Sequence, residues 1–111
     1  KARLSDGVDI PLPADARVAE AQQIVVGFRP DSFAPKGHSL HGESHSMVLS
    51  RAVSIAEPLG TETILFASVG GKEVQGKMLN PRPVQPGELL DFTLDLDRLH
   101  VFDRASGVSL R

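Results

Sequence analysis

The fold is decided by residues 63–79, which read TILFASVGGKEVQGKML. Two extended apolar runs flank a Gly70-Gly71 pair, and glycine accepts the positive φ angles that tight hairpin turns require. The segment therefore predicts a β-hairpin. Side chains alternate along a strand, so Val74, Gly76 and Met78 are expected to face the interior.

A further strand is predicted downstream of this hairpin, over residues 91–96 (DFTLDL). Phe92, Leu94 and Leu96 alternate with polar neighbours, which is the pattern of a strand with one buried face. Residues 85–88, Gln-Pro-Gly-Glu, come just before it. They fit a type II turn, because proline presets φ at the second position and glycine accepts a positive φ at the third.

The remaining segments predict more strands and few helices. Strands are expected at residues 23–28, 47–57, 99–102 and 108–110, with Val53 and Ile55 on one face of the second of these. Alanine-rich residues 13–23 predict a turn or two of helix at most. Residues 33–46 contain proline, glycines and serines without periodicity, and they predict a mobile surface loop.

Length and composition limit the fold class further. A chain of 111 residues, with 41% hydrophobic and 23% charged residues, suits one domain over residues 1–111. Eight Pro and ten Gly, scattered between short apolar runs, favour an all-β protein. Periodicity alone leaves open whether that protein is a sandwich or a small closed barrel.

Several functional classes are disfavoured by the same composition. The absence of Cys excludes disulfides and thiolate chemistry and fits a reducing, cytoplasmic compartment. No run approaches the roughly 20 apolar residues needed to cross a bilayer. A net charge of −2 gives no basic surface for nucleic acid. The chain starts at Lys1 rather than Met, so we expect a piece of a longer protein.

No catalytic or cofactor-binding residue is predicted. Gly70-Gly71-Lys72 lacks the spacing of a phosphate-binding loop, since Phe66 stands where its first glycine belongs and Glu73 where its Ser or Thr belongs. No serine lies in a nucleophile elbow. Function is therefore expected to reside in surfaces.

Two polar segments remain as candidate sites. His38, His41 and His45 could form a metal-binding loop, although the glycine and serine content favours a solvated loop that is merely rich in histidine. Arg29-Pro30-Asp31 ends a strand in a rigid, charged element. It predicts either a local ion pair or a contact with a partner.

Four segments, taken in order, resemble the C-terminal regulatory region of sugar-importer ATPase subunits of the maltose and glycerol-phosphate type. Residues 25–31 (VVGFRPD) are similar to that family's Gly-Ile-Arg-Pro-Glu segment, and residues 53–63 to its Val-x-x-x-Glu-x-Leu-Gly-x-Glu segment. Residues 84–88 resemble its Pro-Gly-Glu turn, and residues 99–107 its closing His-Leu-Phe-Asp-x-x-Thr-Gly.

The resemblance implies an OB-type β-barrel, the transport-associated OB (TOBE) domain of an ABC transporter. In that family the barrel regulates and dimerises the ATP-binding subunit without ATPase activity of its own. ATP and Mg²⁺ belong to the absent nucleotide-binding domain. The implied partners are that domain, a second copy, the membrane permease and, in some members, a regulatory protein, all at the inner face of the cell membrane. The interface residues that the matched motifs imply are Arg29, Pro30, Asp31, Glu57, Leu59, Gly60 and Glu62.

An alternative function follows from related OB-type domains that bind small oxyanions. Such a site needs convergent hydrogen-bond donors. The candidates in this chain are Lys72, Lys77, Arg82 and the backbone amides near Gly60.

Overall fold

The computed structural model describes residues 2–4, 7–12, 15–19, 22–39 and 45–111. These residues contain nine strands, two 3₁₀ helices and no α-helix. The elements, in chain order, are β1 (Ala2–Arg3), β2 (Asp9–Ile10), β3 (Ile24–Gly27), η1 (Pro30–Ser32), β4 (Phe33–Pro35), β5 (Ser46–Pro58), β6 (Glu62–Val69), β7 (Lys72–Leu79), β8 (Leu89–Asp95), η2 (Leu96–Arg98) and β9 (His100–Asp103).

The main sheet has five antiparallel strands in the order β4-β8-β5-β6-β7. The predicted hairpin is confirmed: β6 pairs with β7 from Val69↔Lys72 to Glu62↔Leu79. Gly70 and Gly71 have φ angles of 62° and 77°, as a two-residue primed turn requires. Gly76 and Met78 are buried and Val74 is half-buried, as the alternation predicts.

Strand β8 lies between β4 and β5 and supplies the centre of the core. Phe92 and Leu94 are fully buried, as the alternation predicts, but the strand ends at Asp95, and Leu96, predicted on the same buried face, begins η2 and is half-buried. The turn before the strand is also confirmed, with Gly87 at φ 90° and Glu88 N–H donating to the Gln85 carbonyl at 3.0 Å. Thr93 is buried as well, and its Oγ1 donates to the Ala34 carbonyl at 3.2 Å.

The sheet curls until its two edge strands, β4 and β7, approach each other. A Cβ added at Gly76 of β7 would lie 2.5 Å from the Phe33 carbonyl oxygen of β4. The Phe33 ring stacks on Phe92 with 4.5 Å between ring centroids. The result is a half-barrel filled by apolar side chains, and the predicted all-β, OB-type fold class is confirmed.

Two smaller sheets flank the half-barrel. β3 pairs with β9 from Ile24↔Asp103 to Gly27↔His100, and β1 pairs with β2. Fully buried Val101 anchors the first pair, and Ile10 of β2 belongs to the main core. The described residues contain no helix that could span a membrane.

The prediction that Val53 and Ile55 share one face is wrong. Val53 is 1% exposed, whereas Ile55 is 46% exposed. The reason is a β-bulge: Val53 pairs with Ala67 but Ile55 pairs with Phe66, so two steps along β5 match one step along β6. The extra residue turns Ile55 to the outer face.

The prediction of a surface loop over residues 33–46 is wrong for its first residues. Phe33–Pro35 form strand β4, and all three residues are buried. Pairing with β8, from Phe33↔Leu94 to Pro35↔Phe92, draws this short segment into the sheet. Ser46 begins β5, and residues 40–44 lie outside the described part of the chain.

The predicted helical turns over residues 13–23 fall partly outside the description, which omits 13–14 and 20–21. Residues 15–19 and 22–23 form no helix. Long-range contacts decide their path instead: Arg17 N–H donates to the Leu110 carbonyl at 2.6 Å, and the Gln22 amide donates to Asp103 at 3.0 Å.

Candidate functional site

A polar groove of about 630 Å³ lies where the corner after β3 meets the segment that joins η2 to β9. It combines three arginines and three aspartates with a histidine, two serines and a buried leucine. We call it the Arg29 groove. Its lining residues are Asp15, Arg29, Asp31, Ser32, Asp97, Arg98, Leu99, His100, Ser109 and Arg111.

The Arg29 wall is a rigid corner. A residue that precedes proline is restricted to extended backbone, and Arg29 accordingly has φ −87° and ψ 156°. Pro30 then starts η1, whose turn is closed by Ser32 N–H donating to the Arg29 carbonyl at 2.9 Å. Buried Ser32 and Phe33 fix the far end of this corner. Arg29 is therefore exposed on backbone that has little freedom to move.

The opposite wall is equally well anchored. The Asp95 carboxylate caps η2 by accepting from Asp97 N–H at 3.1 Å. Leu99 is 1% exposed and packs in the core, as does Val101. The side chain of His100, which lies between them in sequence, is exposed. The His100 ring stacks on Phe102 with 6.3 Å between ring centroids.

Most charges around the Arg29 groove are already paired. Arg111 Nε lies 3.1 Å from Asp15 and its Nη1 donates to the Leu99 carbonyl at 2.7 Å, while Arg98 pairs with Asp95 at 3.3 Å. The Arg29 guanidinium makes no hydrogen bond or ion pair with any described residue. Within the described ranges, Arg29 is therefore an unpaired cation on a rigid backbone. The groove as a whole is suited to bind a polar surface of mixed charge.

The closing motif is held by its own aspartate. Asp103 accepts from the Gln22 amide at 3.0 Å and from the Ser106 hydroxyl at 2.7 Å and backbone N–H at 2.8 Å. These hydrogen bonds, that of Gln22 first, lower the pKa of the Asp103 carboxyl. The aspartate fixes the turn after β9, which brings the last residues back to the groove.

The structure divides the predicted interface residues into two groups. Arg29 and Asp31 line the Arg29 groove, and Pro30 lies between them beside the first half of β7. Glu57, Leu59, Gly60 and Glu62 form the β5–β6 turn, at the opposite end of β7, where Glu62 pairs with Leu79. Their roles as interface residues stay predictions.

The β5–β6 turn is well formed. Leu59 N–H donates to the Glu62 carbonyl at 2.8 Å, and Gly60 has φ 90°, which glycine adopts without strain. Leu59 is 58% exposed at the tip. Glu62 lies 3.4 Å from Lys77 Nζ. The turn therefore offers one apolar side chain above a local ion pair.

Sequence reasoning missed half of the Arg29 groove. The sequence alone does not connect residues 97–100 with Arg29, and it does not mark Asp15 or Arg111. The available signal was the polar Asp97-Arg98 pair between two apolar strands, close to the closing motif. Only the β3–β9 pairing brings these segments together.

The histidines occupy different surroundings. His38 Nδ1 lies 2.8 Å from the Leu79 carbonyl, and His45 Nδ1 lies 3.0 Å from Asp97. His38 lines a small pocket with Leu90 and Asp91 at the start of β8, whereas Asp97 follows the end of that strand, on the order of 20 Å away at the usual rise per residue. His41 lies outside the described part, in which no three His, Asp or Glu side chains form a metal-binding group.

The oxyanion candidates are also separated. Lys72 stands beside the Gly-Gly turn and Gly60 at the far end of the same hairpin, on the order of 23 Å away along the strand. Lys77 pairs with Glu62, and Arg82 lies 2.7 Å from Glu88. The Arg82 hydrogen bond lowers the pKa of the Glu88 carboxyl. Lys72 and Gly60 are thus far apart, and Lys77 and Arg82 are each engaged by a carboxylate, so the geometry does not favour this alternative.

Comparison with known proteins adds the biological context. No family model matches the chain. It is 28% identical over 110 residues to the sulfoquinovosyl glycerol transport ATP-binding protein SmoE of Agrobacterium fabrum, an alignment that covers 96% of this chain and 29% of that protein. It is 28% identical over 100 residues to the sn-glycerol-3-phosphate import ATP-binding protein UgpC of Chromobacterium violaceum, covering 90% and 25%.

A third relative is also an import ATP-binding protein. The trehalose/maltose import ATP-binding protein MalK of Thermococcus litoralis is 25% identical over 89 residues, covering 80% of this chain and 24% of that protein. The chain thus spans between 24% and 29% of the length of these three relatives. Over most of its length, the chain is similar to one part of the ATP-binding subunits of sugar and glycerol-phosphate importers.

Proposed function

We propose that this chain is the regulatory and dimerisation domain, of the TOBE type, of the ATP-binding subunit of a carbohydrate-type ABC importer. The observation that carries the proposal is the alignment of 96% of the chain with only 29% of a transport ATP-binding protein. An all-β half-barrel that matches about a quarter of such a subunit is suited to an accessory role.

In this proposal the domain hydrolyses no ATP, and ATP and Mg²⁺ bind to the remainder of the subunit. The domain works at the cytoplasmic face of the membrane beside its own nucleotide-binding domain and the permease, and it is open to a regulatory protein. Its main contact is with a second copy of itself. That contact keeps the two subunits together while the nucleotide-binding domains open and close.

The charge pattern of the Arg29 groove supports such a contact. In a two-fold interface the same surface is used by both copies, so it must be complementary to itself. The groove meets that condition, because it presents both arginines and aspartates and an arginine of one copy can face an aspartate of the other. Arg29 is the cation best placed for this, since no described residue engages its guanidinium.

Static light scattering over a concentration series tests the proposal. We expect the chain to dimerise, and we expect Arg29→Glu to shift it towards monomer. Arg104→Glu is the matched control, because Arg104 is equally exposed but does not line the groove. Added salt should weaken the dimer, because exposed ion pairs are screened. A chain that stays monomeric, or an Arg29→Glu variant that dimerises like the control, contradicts the proposal.

A further inference from the structure

Two strand edges face each other across a second groove of about 410 Å³. One wall is formed by residues 26–28 and Pro30, and the other by residues 73–75 of β7. Among the residues that the structure describes, β7 is the last strand of the main sheet, β3 pairs only with β9, and β3 and β7 are not hydrogen-bonded to each other. We call this groove the edge slot.

The backbone of β7 presents free hydrogen-bonding groups to the edge slot. In a hairpin with a two-residue turn, the closing pair, here Val69↔Lys72, is hydrogen-bonded, and hydrogen-bonded and non-hydrogen-bonded pairs then alternate. Glu73, Gln75, Lys77 and Leu79 therefore direct their N–H and C=O away from β6. Leu79 confirms this alternation, because its N–H points away from β6 and donates to the His38 carbonyl at 3.0 Å.

At Glu73 and Gln75 the same outward backbone groups have no partner among the described residues. The segment after β4 covers the edge only as far as Leu79. The first half of β7 is left open to the slot.

The backbone of β3 presents free groups from the other side. Arg104 N–H donates to the Gln23 carbonyl at 3.0 Å, so these two residues form a hydrogen-bonded pair. Hydrogen-bonded and non-hydrogen-bonded pairs then alternate along β3 and β9. Leu110 N–H donates to the Val101 carbonyl on the far side of β9, in agreement with that alternation. Val26 and Phe28 therefore turn their backbone groups to the slot, and none of these has a partner in the described ranges.

The side chains around the slot sort into a floor and a rim. Val26, Phe28 and Val74 are partly buried and pack against the core, so they form an apolar floor. Glu73 and Gln75 are exposed on the rim, where the Glu73 carboxylate also accepts from the Ser54 hydroxyl at 3.4 Å. An extended chain lying between the two edges would place alternate side chains on this floor and the others beside Glu73.

The geometry points to β-strand addition: the edge slot binds an extended segment of a partner polypeptide, with apolar side chains at alternate positions and a Lys or Arg facing Glu73. Only an extended peptide backbone offers N–H and C=O groups on both of its sides at the strand repeat. Exposed strand edges are ordinarily covered or blocked, and here two open edges border one groove. Strand addition at the edge slot does not depend on the proposed function, because it follows from the two backbone edges alone.

Binding can be tested on the 111-residue chain with an acetylated and amidated probe peptide, Thr-Val-Lys-Val-Thr-Val-Thr. We expect the probe to shift the amide resonances of both walls and to slow hydrogen exchange at Glu73, Gln75, Val26 and Phe28. The same peptide N-methylated at alternate residues keeps its side chains but loses donors, and it should not bind.

A pair of variants separates strand addition from other binding. Gln75→Pro removes an outward N–H without removing a β6–β7 hydrogen bond, and it should weaken the probe about tenfold or more. Gln75→Thr keeps the N–H and should bind as the wild type does. Thermal unfolding of both variants verifies the fold.

Three results would overturn the inference. They are equal binding of the N-methylated probe, equal binding by Gln75→Pro, and amide shifts confined to one wall. Protection of the same amides that grows with protein concentration in the absence of peptide would also overturn it, because the occupant would then be a second copy of this chain.

Discussion

Replacement of Gly76 by alanine tests how the half-barrel closes. An ideal Cβ at this position lies 2.5 Å from the Phe33 carbonyl oxygen and 2.9 Å from Phe33 Cδ2. Neither atom can yield easily. The backbone of Phe33 is held by pairing with Leu94, and its ring stacks on Phe92. The added methyl group must therefore push the two edge strands apart.

The size of the effect follows from two opposing contributions. Overpacking of a tight core destabilises by about 1–3 kcal/mol, and a clash with backbone falls at the upper end. The change from glycine to alanine also reduces the conformational entropy of the unfolded chain, which stabilises the folded state by about 0.4–1 kcal/mol. We expect a net loss of about 2 kcal/mol. For a domain of this size this lowers the melting temperature by roughly 8 °C.

Chemical denaturation and thermal unfolding measure this loss directly. The matched control is Gly27→Ala, another strand glycine, whose added Cβ would meet only Phe102 and His100, at 3.9 and 4.0 Å. It should leave the stability unchanged or slightly raised. If Gly76→Ala proved as stable as Gly27→Ala, then β4 would not pack against β7 as described.

Three further predictions concern buried and capping groups. Hydrogen bonds, that of Gln22 first, lower the pKa of the Asp103 carboxyl. The stabilisation that the ionised carboxylate gives to the folded state is therefore complete above the ordinary carboxyl pKa, and it is lost as the pH falls through the lowered pKa. Melting temperatures of wild type and Asp103→Asn should therefore converge in acid, and a constant gap would contradict this. Thr93→Val leaves the Ala34 carbonyl without its side-chain donor and should destabilise by about 1 kcal/mol in urea unfolding, whereas an unchanged midpoint would refute the role of that bond. Phe92→Ala removes a fully buried ring and should cost about 3–5 kcal/mol by the same assay; a loss below about 1 kcal/mol would place this ring outside the core.

Local signals were sufficient for the hairpin and for the turn before β8. The Gly70-Gly71 pair and the Pro86-Gly87 pair each specify a turn through the φ angles that their own residues accept. The alternation over residues 91–96 likewise identifies the strand that supplies Phe92 and Leu94 to the core, although that strand ends at Asp95. These features depend on neighbours in sequence, and a single sequence displays them.

Long-range pairing explains what the sequence analysis missed. β4 has only three residues and ends in proline, so no periodicity marks it, and its pairing with β8 supplies the reason for its burial. The bulge between Val53 and Ile55 is a mismatch between two strands rather than a property of one. Periodicity within β5 therefore assigns Ile55 to the wrong face.

The candidate site illustrates the same limit. The Arg29-Pro30-Asp31 corner stands out in sequence because proline restricts the residue before it. Its complement, residues 97–100, lies more than sixty positions further along the chain and joins it only through the β3–β9 pair. Charge pattern in one segment cannot identify the segment that faces it in space.

The contact between two copies of the chain is the claim that can be measured most directly. An equal mixture of ¹³C-labelled and ¹⁵N-labelled chains, examined by isotope-filtered NMR, reports only distances between copies. We predict intermolecular contacts that involve the exposed side chains of Arg29 and His100 in the Arg29 groove. Contacts confined to the outer sheet face around Ile55 and Phe66, or no intermolecular signal at the highest attainable concentration, would contradict it.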